Sequence, residues 1–70
     1  MQRHPVRSSN LRDVGYDASI NLLEIGFKSG SVYQYLNVPQ GRYDGLMATS
    51  SHGGYFAAYI KPHYPARRVG

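Results

Sequence analysis

The residues best suited to chemistry fall in two short runs. Thr49-Ser50-Ser51-His52-Gly53-Gly54 combines hydroxyls, an imidazole and two glycines at a predicted helix start. Backbone N–H groups at such a start lack partners, and the helix dipole favours negative charge. Glycines there let a phosphate approach the main chain. The run is not a Walker loop, because the Gly-Lys-Ser/Thr ending is absent. Arg7-Ser8-Ser9 offers a guanidinium and two more hydroxyls. Lys61, Arg67 and Arg68 supply further cations for phosphate. Each run also has a plain structural reading: an N-cap and interhelix turn, a strand lead-in, and a solvated basic tail.

Tyr33 and Tyr35 form the second group of interest. Their role depends on a hairpin register. A two-residue loop, Ser29-Gly30, turns both rings away from the helices, as a platform on which bases stack. It also buries Gln34 beside Ile25, where the amide needs partners. A three-residue loop, Lys28-Ser29-Gly30, sets Ile25 opposite Tyr33 and Leu23 opposite Tyr35. A slip of one residue moves every side chain to the other face. The three-residue loop is favoured, because it puts the aromatics in the core and Gln34 in water. The rings are then structural, with only their hydroxyls near a site. Leu22, Val32 and Leu36 fall on the far face, as a candidate subunit interface.

Other chemistries find little support. His4, His52 and His63 lack metal-ligand spacing, and no cysteine assists them, so no metal or other cofactor is expected. The carboxylates Asp13, Asp17, Glu24 and Asp44 form no spaced acid–base pair. Nothing signals a nucleophile with its base and oxyanion hole. The expectation is a binding protein, not an enzyme.

Composition agrees with that expectation. Eight Lys and Arg against four Asp and Glu give a net charge of +4, which favours anionic partners. Arg3, His4 and Arg7 cluster near one end, and Lys61, His63, Arg67 and Arg68 near the other. Termini often lie close in small domains, so the two clusters are expected to form one basic patch. Seventy residues make one domain, residues 1–70, with a small core that favours homo-oligomerisation. No apolar run approaches the length of a membrane helix, no secretory signal is seen, and a cytoplasmic location is expected.

The elements that position these residues follow from periodicity. Met1 to Arg7 reads as an extended lead-in. Leu11 to Asp17, Ile20 to Lys28 and Val32 to Val38 read as strands. Asp17-Ala18-Ser19 carries turn chemistry. Pro39 ends the sheet and opens a short helix with Tyr43, Leu46 and Met47 at helical spacing. A second helix starts at Ser50 or Ser51 and carries Tyr55, Phe56, Tyr59 and Ile60 up to Pro62. The tail is irregular or an edge strand. The fold class is therefore α+β: a three-stranded antiparallel meander, then two short helices packed on one face.

The order of these residues resembles that of the KTSC domain family. The resemblance rests on Ser8-Ser9-Asn10, Val14-Gly15-Tyr16-Asp17, Leu23-Glu24-Ile25, Phe27, Ser29-Gly30, Val32-Tyr33 and Tyr35. It continues through Val38-Pro39, Tyr43, Leu46-Met47, Ser51, Gly53, Tyr55-Phe56, Ile60 and Tyr64-Pro65. Ala57 departs from it, since family members often carry Asn after the Tyr-Phe pair. The family takes its name from the C-terminus of some lysyl-tRNA synthetases and also occurs alone. The resemblance implies no enzymatic activity, and its synthetase context points to RNA.

Two function classes are thus expected. One is a binder of a phosphate-bearing nucleotide, either an RNA module or a homo-oligomer that sequesters small, even cyclic, nucleotides. The other is a protein-interaction module that docks its apolar sheet face.

Overall fold

The computed structural model describes residues 1–70. Five strands form one antiparallel sheet in sequence order: β1 (Arg3–Pro5), β2 (Leu11–Asp17), β3 (Leu22–Phe27), β4 (Val32–Tyr35) and β5 (Ala66–Arg68). Between β4 and β5 come α1 (Gln40–Ala48) and α2 (His52–Tyr55). Helix α2 runs straight into a π-helical turn, Phe56–Ile60. The α+β class is as expected, but the sheet has five strands instead of three. The lead-in and the tail each add a three-residue edge strand.

The three-residue hairpin loop is the one observed. Ile25 pairs with Tyr33 and Leu23 with Tyr35. Phe27 N–H donates to the Ser31 carbonyl at 2.9 Å, which closes the loop. This register gives the inner face of β3 to Leu23 and Ile25, both fully buried. Leu11, Val14, Tyr35, Val38, Leu46, Phe56 and Ile60 complete the core between sheet and helices. Helix α1 contributes only Leu46 as a buried residue, so packing, not propensity, holds it against the cost of Gly41 and Gly45. Tyr16 and Tyr43 stack at 4.7 Å between β2 and α1.

The outer face carries a polar row instead of the expected apolar patch. Arg3, Gly15, Glu24, Gln34 and Arg67 stand opposite one another across all five strands. Arg3 Nη1 donates to Glu24 Oε2 at 2.8 Å, and Gln34 Nε2 donates to Glu24 Oε1 at 2.9 Å. Arg67 donates twice to Gln34 Oε1. Arg3 Nε also lies 3.0 Å from Asp13 Oδ1. Leu22 is buried, and Val32 and Leu36 are half-buried. They leave no open apolar patch of the kind expected for a subunit interface, because β5 and the chain end fold over Val32.

The basic ends come together only in part: Arg7 and Lys61 line hollows that share Asn10, while Arg3 and His4 on β1 lie far from Arg67 and Arg68 on β5. Strand β1 and strand β5 are opposite edges of the sheet. A five-strand order separates the termini that the sequence reading brought together.

Candidate functional site

The strongest result is a junction of two sequence runs. The loop Arg7–Asn10, which links β1 to β2, meets the segment Ser50–Gly54, which links α1 to α2. Together they line one hollow of about 370 Å³ with no apolar residue in its wall. Arg7, Ser8, Ser9, Ser50, Ser51, His52, Gly53 and Gly54 all lie here, as the sequence pointed to, with Asn10 between them.

Local chemistry shapes this hollow. Ser8 Oγ accepts from the backbone N–H groups of Asn10 (3.3 Å) and Leu11 (3.2 Å), and donates to Asn10 Oδ1 at 3.1 Å. Its hydroxyl therefore folds the loop, an ST-turn, instead of facing a ligand as expected. Gly53 allows that loop to close. A Cβ at this position would lie 2.8 Å from Asn10 Oδ1 and 3.2 Å from Ser8 Oγ. His52 Nδ1 donates to the Leu46 carbonyl at 2.7 Å, since a carbonyl can only accept. That bond pins the ring and leaves Nε2 as its free nitrogen. Ser51 occupies the N-cap position without a side-chain cap bond. Thr49 Oγ1 accepts the Ser51 N–H at 3.3 Å. The expected serine cap is thus replaced by a turn that leaves the Ser51 hydroxyl uncommitted.

A second hollow, of about 390 Å³, adjoins the first. Its lining is Asn10, Phe27, Ser29, Ser31, Tyr33, Tyr35, Phe56 and Lys61. Asn10 belongs to both walls. The rings meet edge to face: Phe27 on Tyr33 at 5.8 Å, Phe27 on Phe56 at 5.6 Å, and Tyr35 on Phe56 at 5.3 Å. Tyr35 is almost wholly buried, and burial raises its phenol above the ordinary value of 10.0, with Tyr33 adding to the shift. Tyr33 is half-buried. The two tyrosines therefore make the wall of a cleft, not an open stacking platform.

A third, shallower hollow of about 470 Å³ lies on the far side of Arg7 and Ser8, with Pro5, Val6 and Lys28. No Asp or Glu lines any of the three. The carboxylates are engaged elsewhere or stand apart. Asp13 and Glu24 pair with Arg3 and Arg12 on the outer face. Asp17 is held by Ser19 in the β2–β3 turn, and Asp44 sits on α1.

The cations sort the same way. Arg3 and Arg12 bind carboxylates, and Arg42 lies over the Tyr59 ring at 5.1 Å. Arg67 is tied to Gln34, and Arg68 Nε donates to the Gly70 carbonyl at 2.8 Å. The remaining three, Arg7, Lys28 and Lys61, have no hydrogen-bond or ion-pair partner, and each lines a hollow. Arg67 and Arg68, expected at the site, line none of the hollows, because β5 seats them on the sheet edge beside β4. The sequence reading missed Asn10, Phe27, Lys28, Ser29, Ser31 and Phe56 as lining residues, and Pro5 and Val6 of the third hollow. The favoured loop, Lys28-Ser29-Gly30, already placed Lys28 at the hairpin tip, and it was the available signal.

Comparison with known proteins identifies the family and the fold. The KTSC domain model matches residues 7–64. A protein of Stutzerimonas stutzeri (strain A1501) is 39% identical over 70 residues, covering 99% of each chain. A protein of Tsukamurella paurometabola is 36% identical over 62 residues, covering 89% of this chain and 92% of its own. The crystal structure of a KTSC domain protein from Yersinia pestis superposes with a TM-score of 0.95 at 39% identity, covering 99% of this chain and 97% of that one. The match spans both loops that build the central hollow, from Arg7 through Gly54, and on this ground the chain belongs to the KTSC domain family.

Proposed function

We propose that this protein binds a phosphate-bearing nucleotide without transforming it. The base occupies the aromatic hollow and the phosphate occupies the central hollow of hydroxyls, glycines and Arg7. The observation that carries this reading is the shared wall. Asn10 lines both hollows, so one small ligand reaches an apolar cleft and an anion-seeking one at once. Ligand sites are commonly concave, largely apolar and fitted with a few convergent polar groups. The absence of carboxylates from the walls and the presence of Arg7 and Lys61 favour an anion.

Residues of one chain line all three hollows. A homo-oligomer that sequesters small nucleotides is the second form of this reading, and the native mass of the protein with and without nucleotide tests it.

The test is calorimetric titration of the purified protein with nucleoside 5′-monophosphates, the matching nucleosides, inorganic phosphate and single-stranded RNA. The nucleotide should bind more tightly than either of its parts, and weaken as salt rises. An Arg7→Glu exchange should weaken it about tenfold or more, the scale of one charged hydrogen bond. A protein that binds RNA but no mononucleotide would transfer the reading to an RNA surface. A protein that binds neither would end the nucleotide reading.

A further inference from the structure

We infer that Asn10 selects the base: its amide nitrogen donates into the aromatic hollow and favours a base with an oxo group there, such as uracil or guanine, over one with an amino group. This rests on the nucleotide reading above and names the ligand class more closely. Hydrogen-bond accounting fixes which way the amide faces. Ser8 Oγ already accepts from the Asn10 and Leu11 N–H groups, at 3.3 and 3.2 Å. Those two bonds fill its lone pairs, so its one proton must go to an acceptor. The neighbour at 3.1 Å is therefore Asn10 Oδ1 and not Nδ2. The Asn10 carbonyl is also committed, accepting the Lys28 N–H at 2.9 Å. Oδ1 turns toward Gly53, 2.8 Å from where a Cβ would stand, in the wall of the central hollow. That leaves Nδ2 on the other side of the amide, toward the aromatic hollow that Asn10 also lines, and without a partner in the chain.

The polarity of the aromatic hollow points the same way. The Lys61 ammonium and the Asn10 amide nitrogen can only donate. The hydroxyls of Ser29, Ser31, Tyr33 and Tyr35 can donate or accept, and no carboxylate lines the wall. The side-chain groups of fixed polarity that stand free are thus donors. Bases differ in the same respect. Uracil and guanine present an oxo acceptor where cytosine and adenine present an amine. An amine set against Nδ2 brings two donors face to face. A site built to bond one group rejects an analogue that leaves it unpaired. Because Ser8 and Lys28 hold Asn10 in place, the donor is positioned before the ligand arrives.

The experiment titrates matched 5′-monophosphates that differ at this group and the ring nitrogen beside it: uridine against cytidine, and inosine against adenosine. The oxo member of a pair should bind about tenfold more tightly than the amino member. Asn10→Ala removes the donor without adding a charge and should abolish the preference. Asn10→Asp keeps an oxygen for the Ser8 hydroxyl but puts an acceptor in place of the donor, so it should invert the preference. Its charge weakens both members of a pair alike and cancels in the ratio. Asn10 is exposed, so both variants are expected to keep the parent's thermal unfolding curve, which serves as the folding control. The wild-type ratios test the preference by themselves. Equal binding within the pairs, or tighter binding of the amino members, would overturn the base preference while the nucleotide reading stood. A preference that survives both exchanges would overturn the assignment to Asn10. Failure of every monophosphate to bind the wild type would overturn both readings.

Discussion

Arg3 reaches across Gly15 to donate from Nη1 to Glu24 Oε2 at 2.8 Å. The two residues lie on strands that are not neighbours, and only an absent side chain between them makes the contact possible. A Cβ at Gly15 would stand 2.8 Å from the Gln2 carbonyl oxygen and 3.0 Å from Arg3 Cγ. Gly15→Ala is therefore expected to lift β1 from the sheet and cost about 1–3 kcal/mol, the range for overpacking. Urea denaturation would measure it. Ligand affinity should change little, because the polar row faces away from the hollows. A Gly15→Ala protein of unchanged stability would show that β1 adapts without loss.

The acid limb of the stability curve should contain a signature of the β2–β3 turn. Asp17 Oδ1 accepts the Ser19 hydroxyl at 2.6 Å and the Ser19 N–H at 3.0 Å. The hydroxyl bond, then the backbone bond, hold its carboxyl below the ordinary 3.8. A carboxyl with a depressed folded pKa contributes stability above its unfolded value, and that contribution is lost as pH falls through the folded one. The wild type should lose stability below about pH 4 in part through this group. Ser19→Ala should flatten that part of the profile, as read by urea midpoints across the acid range. Identical profiles would place the acid sensitivity in other carboxylates.

The two arginines of β5 separate the sequence reading from the structural one. Charge composition alone assigns Arg68 to a basic patch, and the reversal Arg68→Glu would then abolish anion binding. In the fold, Arg68 closes on the Gly70 carbonyl at the sheet edge. Arg68→Glu should leave nucleotide affinity within about threefold at moderate salt, the scale of a screened distant charge. Lys61→Glu should reduce it about tenfold or more. Parallel titrations of the two variants decide between the readings, and a larger loss at Arg68 would restore the basic-patch view.

These contrasts mark what was legible in the residues. The central strands, both helices and the hairpin register followed from alternation, from Pro39 and from the cost of burying Gln34. Those signals are local, or couple residues a few positions apart. The members of the central hollow were also readable as types, since Ser8-Ser9 and Ser50–Gly54 announce themselves in one dimension. Their meeting was not, because Gly53 and Asn10 are brought together only by the whole sheet. The edge strands escaped for a related reason. Each has three residues, too few for a period; β1 ends on Pro5 and β5 follows Pro65, and their pairing depends on distant partners such as Gln34 with Arg67. The expectation of a shared basic patch holds for Arg7 and Lys61 and not for the residues of β1 and β5, which the sheet order sets at opposite edges.

The π-helical turn carries a consequence for how relatives are aligned. Lys61 N–H reaches back to the Phe56 carbonyl, five residues away, at 2.9 Å. A turn closed over five residues takes in one residue more than an α-helical turn, so it absorbs the surplus instead of passing it on. Ala57 and Ala58, both exposed, sit in that turn. A relative with one alanine fewer would close the same stretch as an ordinary α-turn and keep its lysine on nearly the same bearing. A gap in an alignment belongs inside this turn, and residue count from Phe56 is a poor token of where the lysine points.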